Sequence, residues 1–161
     1  IEENKQLKAQ LDLRFGMENI VGHDHRMLKV FDVIDSVADT RAAAIEPIKM
    51  ALAASANHAF RFTLEGKGVA PDLHEKIRAL QREYNAHQHE IAGAANASLP
   101  DRWDLTEFLV DRFAVAGTPA DCVAQLRRAM GAGARQFIIT GFVPDPRAFM
   151  RRWMKEVAGA L

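Results

Sequence analysis

FAVAGTPADCVAQLRRAMGAGARQFIITGF, residues 113–142, spells out a complete helix followed by a strand. Thr118 is placed to cap a helix whose first residue is Pro119, where the missing N–H costs nothing and φ is already helical. Val123, Leu126 and Met130 recur at helical spacing and give that helix one apolar stripe. Gly131 and Gly133 supply a left-handed stop, and Phe137, Ile138 and Ile139 follow as a short apolar run. A run of that kind is expected of a strand buried on both faces. The unit therefore predicts a parallel α/β sheet, either doubly wound or closed into a barrel.

The order of these signals, Ala116-Gly117-Thr118-Pro119, then a helix ending in Gly-Ala-Gly, then an apolar strand, resembles the C-terminal part of the luciferase-like monooxygenase family. Upstream, LHEKIRALQREYNAHQHEIAGAANASLPDRW, residues 73–103, is similar to that family's variable helical region, and LVDRFAVAGTP to the lead into its last barrel helix. The resemblance covers residues 40–158 or thereabouts. It implies a TIM barrel that carries FMN or a reduced deazaflavin and runs hydride-transfer or oxygen chemistry on a small organic substrate. A whole barrel takes about 250 residues, whereas this chain has 161. The expected fold is thus α/β, a mostly helical fragment of a luciferase-like TIM barrel with one buried strand at residues 136–141. In that family the groups holding the cofactor lie largely on earlier strands, so the resemblance transfers no catalytic and no cofactor-binding residue. The incomplete chain is expected not to retain FMN or deazaflavin.

Residues 15–40, FGMENIVGHDHRMLKVFDVIDSVADT, resemble a different family, the opening of the AAA+ domain in bacterial enhancer-binding transcription activators. Ile20, Val21 and Gly22 match its adenine-side turn. Met27, Val30, Phe31, Ile34 and Val37 then give a helix face at i, i+3, i+4 and i+7. No G-x-x-x-x-G-K-[ST] phosphate loop occurs in the chain, which argues against ATP hydrolysis. Two units follow: an N-terminal helical segment, residues 1–40, and a luciferase-like barrel fragment, residues 41–161, joined within 38–44. The competing function is a non-enzymatic regulatory or interaction piece that uses Leu7, Leu11 and the helix after Gly22.

Composition is that of an ordinary globular chain, with 48% hydrophobic residues and 21 basic against 21 acidic side chains. Zero net charge gives no electrostatic argument for nucleic acid or an anionic membrane, although a local patch is compatible with it. A single cysteine, Cys122, rules out an internal disulfide, and its place early in a helix suits a small packed residue better than a nucleophile. No apolar run approaches the length of a membrane span, and the expected location is the cytoplasm.

Elsewhere the pattern is helical. A helix from Thr40 to Ala59 is expected to break or kink at Pro47. Leu73, Ile77, Leu80, Tyr84, His87 and Ile91 form the stripe of another, and Asp104 with Glu107 suggests a capping box. Asp145 and Pro146 start a terminal helix carrying Phe149, Trp153, Val157 and Leu161.

Among candidate functional groups, His23/His25 and His87/His89 stand at i, i+2, a spacing that on a helix points the rings apart and so predicts no metal. Asp101, Asp104 and Asp111 can be read as catalytic carboxylates or as charges suited to helix starts. Free N–H groups at Gly117-Thr118 can hold a phosphate or simply be capped. If the strand ending at Thr140 closes a barrel, Thr140, Gly141 and Phe142 stand where active-site groups gather. A parallel strand with few neighbours also leaves polar edges and an apolar face uncovered, which predicts that the helices collapse on one another as a mainly α-helical bundle or that self-association completes the sheet.

Overall fold

β1 (Val30–Val37) is the middle strand of a three-stranded sheet in the order β2-β1-β3, with β2 (Ala114–Gly117) on one side and β3 (Gln136–Gly141) on the other. Both neighbours run parallel to it, Ile34 standing opposite Ala114 on one side and Thr140 on the other. The structure, a computed structural model, describes residues 30–89, 91 and 93–161, with side chains from residue 34 onward. Within those residues the protein is α/β and mainly helical.

The helical reading of residues 30–37 is overturned, because VFDVIDSV is a strand. Its apolar residues do recur at helical spacing, but four of the eight are β-branched. Pairing on both sides settles a period that a short run leaves ambiguous. β1 lies on the N-terminal side of the 38–44 junction, yet it joins β2 and β3 from beyond it. Leu7, Leu11, the Ile20-Val21-Gly22 turn and Met27 lie outside the described residues.

Two helical layers flank the sheet. α1 (Arg41–Ile45) starts at Thr40, whose hydroxyl accepts from the Ala43 N–H at 3.2 Å. Pro47 then breaks the helix as expected, forcing a 3₁₀ turn, Glu46–Ile48, before α2 (Lys49–Ala59). With α3 (His74–Glu83), α4 (Leu99–Arg102) and α5 (Thr106–Phe113) these helices build one core, in which Phe60, Leu52, Ile77 and Leu109 are fully enclosed. It packs against Ile34, Ala114 and Ala116 on one face of the sheet. On the other face α6 (Pro119–Gly131), α7 (Pro146–Arg152) and the π-helical turn that continues it, Trp153–Val157, bury Cys122, Leu126, Phe149, Trp153 and Val157 against Val37, Val115, Phe137 and Ile139.

Several local expectations need correction. The stripe of residues 73–91 stops at Glu83, with Tyr84 already extended, and Ile91 is exposed. Asn85 takes over there, its side chain accepting from the His87 N–H at 2.9 Å, a local bond that competes with helix. The Asp104/Glu107 capping box does not form: Leu105 stands at the N-cap and the Asp104 carboxylate reaches Lys76 at 2.8 Å. The terminal helix buries Phe149, Trp153 and Val157 as its stripe predicts, but Leu161 is exposed.

The strand at 136–141 is present, though not buried on both faces. Phe137 and Ile139 pack against α6 and α7, whereas Ile138 and Thr140 on the opposite face are exposed. The α1–α5 layer covers β1 and β2 and stops short of β3. Nor is β3 alone, since β1 and β2 lie beside it.

Candidate functional site

α1 follows β1 onto one face of the sheet, while α7 follows β3 onto the other. Where the continuations of two adjacent parallel strands diverge in this way, a crevice opens beyond their carboxyl ends, the usual ligand position in open α/β sheets. A cleft of about 470 Å³ lies beside this point, lined by Gly141, Phe142, Val143 and Pro144 after β3 and by Glu46, Pro47 and Met50 at the break before α2. Gly93 and Ala97 complete it. Of the expected positions, Gly141 and Phe142 line the cleft, and Thr140 immediately precedes them.

Two local devices shape these walls. At Gly141 an added Cβ would lie 3.0 Å from the Phe149 ring, so the missing side chain lets α7 pack close to the strand end. Across the cleft, the segment bearing Gly93 and Ala97 is held by Asn96, which is only 2% exposed. Its side-chain oxygen accepts from the Asn85 N–H at 2.9 Å, and its amide donates to the carbonyls of Asn85 at 2.8 Å and Gln88 at 3.3 Å. A buried amide with its hydrogen bonds made fixes a loop more firmly than propensity does. Nothing in the sequence singles out Asn96 except that it is a polar residue within a small-residue run.

The lining is mainly apolar, and its one charged residue is Glu46. Lys49 Nζ donates to the Glu46 carboxylate at 2.6 Å and to Asp101 at 2.6 Å, so the neighbouring cation is already engaged. Hydrogen bonds from Lys49 and then Thr106 hold the Asp101 carboxyl below the ordinary carboxylate range. Lys76 does the same for Asp104, and Asp111 faces Arg41 at 3.3 Å. The three carboxylates thus serve three different cations and do not converge on one reacting centre. Arg41 also donates to Glu107 at 2.7 Å and to the Ala116 carbonyl at 3.1 Å, tying α1 to α5 and β2.

At Gly117-Thr118 the backbone is already capped. Thr118 N–H donates to Asp121 Oδ2 at 2.9 Å, and the Asp121 N–H donates to Thr118 Oγ1 at 3.3 Å. The chain's own carboxylate occupies the place a phosphate would take at this helix start. Cys122 follows, with burial, the Asp35 carboxylate and Asp121 pushing its thiol up to about 12. A thiol held so firmly protonated is not a nucleophile at neutral pH.

The histidine pairs separate. His87 sits exposed on a 3₁₀ turn, while His89 shares a 2.5 Å hydrogen bond with the Tyr84 hydroxyl and meets the His58 ring edge-on at 6.1 Å between centroids. Among the described residues no three of His, Cys, Asp and Glu are grouped to hold a metal ion. His23 and His25 lie outside the described residues. No helix among the described residues is long and apolar enough to cross a membrane.

FMN would need a cation or free backbone amides for its phosphate. Among the described residues that line the cleft none is a cation, the neighbouring Lys49 is shared between two carboxylates, and the Thr118 N–H at the start of α6 is taken by Asp121. A planar, uncharged ring system meets no such obstacle on an apolar lining. No known protein family, curated protein or solved structure matches this chain.

Proposed function

We propose that this chain is the C-terminal portion of a flavin- or deazaflavin-dependent luciferase-like oxidoreductase acting on a small organic substrate, incomplete as given. On this reading the cleft beyond β3 is a mainly apolar wall of the ligand site, with Glu46 its one charged residue, and hydride chemistry belongs to the whole enzyme. One observation carries the proposal: the capped helix α6 leads into a parallel strand whose carboxyl end, at Gly141 and Phe142, opens on a cleft of about 470 Å³. Ligands of α/β proteins with parallel sheets gather at that end of the strands.

The chemistry of the lining makes the proposal specific. With no cation among the described residues that line the cleft, a flavin's phosphate adds little to binding there, and the ring supplies most of the affinity. Titration with lumiflavin, which is the ring alone, and with FMN, followed by flavin fluorescence, tests this directly. Saturable binding of lumiflavin, no weaker than that of FMN and lost in Met50→Trp, is expected. If neither binds, the reading of the cleft fails; if FMN binds more than about tenfold tighter, a phosphate grip worth about 1.4 kcal/mol exists that these residues do not account for.

A further inference from the structure

The last helix of the chain presents two unlike faces. Phe149, Trp153 and Val157 are buried against the sheet, whereas Arg147, Met150, Arg151, Met154 and Lys155 are all exposed. Arg147, Met150 and Arg151 lie on α7 and Met154 and Lys155 on the π-helical turn, Trp153–Val157, that continues it. Arg147, Arg151 and Lys155 follow one another at i, i+4 and i+8, and Met150 and Met154 run beside them, 43% and 58% exposed. On this helix Arg152 is the cation with partners, joined to Asp39 at 2.7 Å and Glu156 at 2.9 Å. Among the described residues no carboxylate pairs with Arg147, Arg151 or Lys155.

Helix stability explains only part of this stripe, since Arg151 and Lys155 stand in last turns where a cation complements the dipole. Arg147 stands in the first turn of α7, where a cation opposes the helix dipole. Two exposed thioethers beside three unpaired cations gain nothing from the fold itself. Together they match a surface that offers negative charge and an apolar layer side by side.

We propose that this face docks on an anionic lipid bilayer, with Arg147, Arg151 and Lys155 on the headgroup phosphates and Met150 and Met154 in the acyl boundary. None of its five residues lines the cleft described above. It also carries no aromatic side chain on which a nucleic-acid base could stack. Net neutrality of the chain does not oppose this, because charge acts locally within about 8–10 Å at ordinary salt. Each basic side chain near such a surface strengthens binding roughly fivefold, so the three together favour an anionic over a neutral bilayer roughly a hundredfold.

The test is co-sedimentation of the full chain with vesicles of phosphatidylcholine alone and of equimolar phosphatidylcholine and phosphatidylserine. Binding to the second only, weakened by added salt, is expected. Arg147→Glu/Arg151→Glu/Lys155→Glu abolishes it and Met150→Ser/Met154→Ser weakens it several-fold, both variants keeping the parent circular dichroism because these side chains are exposed. Equal binding to both vesicles, or retained binding by the charge-reversed chain, overturns the proposal. So does undiminished binding by the methionine variant. Capture of duplex DNA or poly-glutamate without binding to anionic vesicles overturns it too, in favour of a nucleic-acid or acidic protein partner.

Discussion

Replacing Gly117 with alanine puts the junction between β2 and α6 to a quantitative test. Gly117 has φ +147°, a conformation that residues with a Cβ rarely adopt, and its strain costs of order 1–3 kcal/mol. An added Cβ would lie 2.7 Å from Asp121 Cβ and 2.8 Å from Oδ2, so the Asp121 side chain has to move. That carboxylate holds the Thr118 N–H, and losing a helix cap costs about 1 kcal/mol more. Gly117→Ala should therefore destabilise the chain by about 2–4 kcal/mol, or roughly 6–12 °C in Tm at this size. Gly66→Ala is the control, since Gly66 has φ +72° with nothing within 4 Å of the new methyl and carries the strain alone, about 1 kcal/mol. Urea denaturation followed by circular dichroism measures both. In a Thr118→Ala background the cap is already broken, so the two substitutions should fall short of additivity by about the value of the cap. If Gly117→Ala costs no more than Gly66→Ala, the close approach of Asp121 is wrong.

Phe60, fully enclosed and packed beside Phe113 at 5.9 Å and Phe108 at 6.2 Å, should cost about 3–5 kcal/mol as Phe60→Ala in the same urea assay. Cys122, its thiol pushed up to about 12, should stay unmodified by an alkylating reagent at pH 8 until the chain is unfolded; native-state labelling at the rate of a free thiol refutes its burial. For Lys49→Met the sign follows from Asp101, whose folded carboxyl lies below the ordinary 3.8. The stabilisation is complete above that value and is lost as pH falls through the folded one. The variant should be modestly less stable near pH 7 and match the parent in strong acid, as pH-dependent melts will show. Ile138, 46% exposed on the face of β3, is the apolar side chain that packing of a second copy on this face would bury. Light scattering should find the parent self-associated and Ile138→Lys monomeric and folded, and a monomeric parent refutes that contact.

What could be read in advance followed how local the physics was. Thr118, Pro119 and the Gly131–Gly133 stop mark α6 because capping and φ preferences act within a few residues. Pro47 marks its own break for the same reason. β1 reads as helix from sequence because its apolar spacing fits both forms and only its partners, 80 and more residues later in the chain, decide between them. β2 carries no sequence signal for a related reason: AVAG is four small or short residues with no period of their own, made a strand by Ile34 and Asp35 across the ladder. At the candidate site, the end of β3 was legible from the apolar run that leads to it. The opposite wall, from Glu46 to Met50 and from Gly93 to Ala97, was not, because it depends on Asn96 bonding back to Asn85 and on how α2 meets the sheet.

A short parallel sheet has to hide its edges and both of its faces, and the chain does so unevenly. On the outer edge of β2 the Gln125 side chain acts in place of a fourth strand, its amide donating to the Ala116 carbonyl at 3.0 Å and its oxygen accepting from the Ala116 N–H at 3.4 Å. Arg41 donates to the same carbonyl at 3.1 Å. Over β1 and β2 the α1–α5 layer covers Ile34, Ala114 and Ala116. It does not extend to β3, where Ile138 and Thr140 stay exposed beside the strand end that opens on the cleft. Covering them fully would bring a helix across the mouth of that crevice. Phe142, just past β3, packs against the α1–α5 core and also lines the cleft beside Gly141, so the cleft opens where that layer meets the strand end.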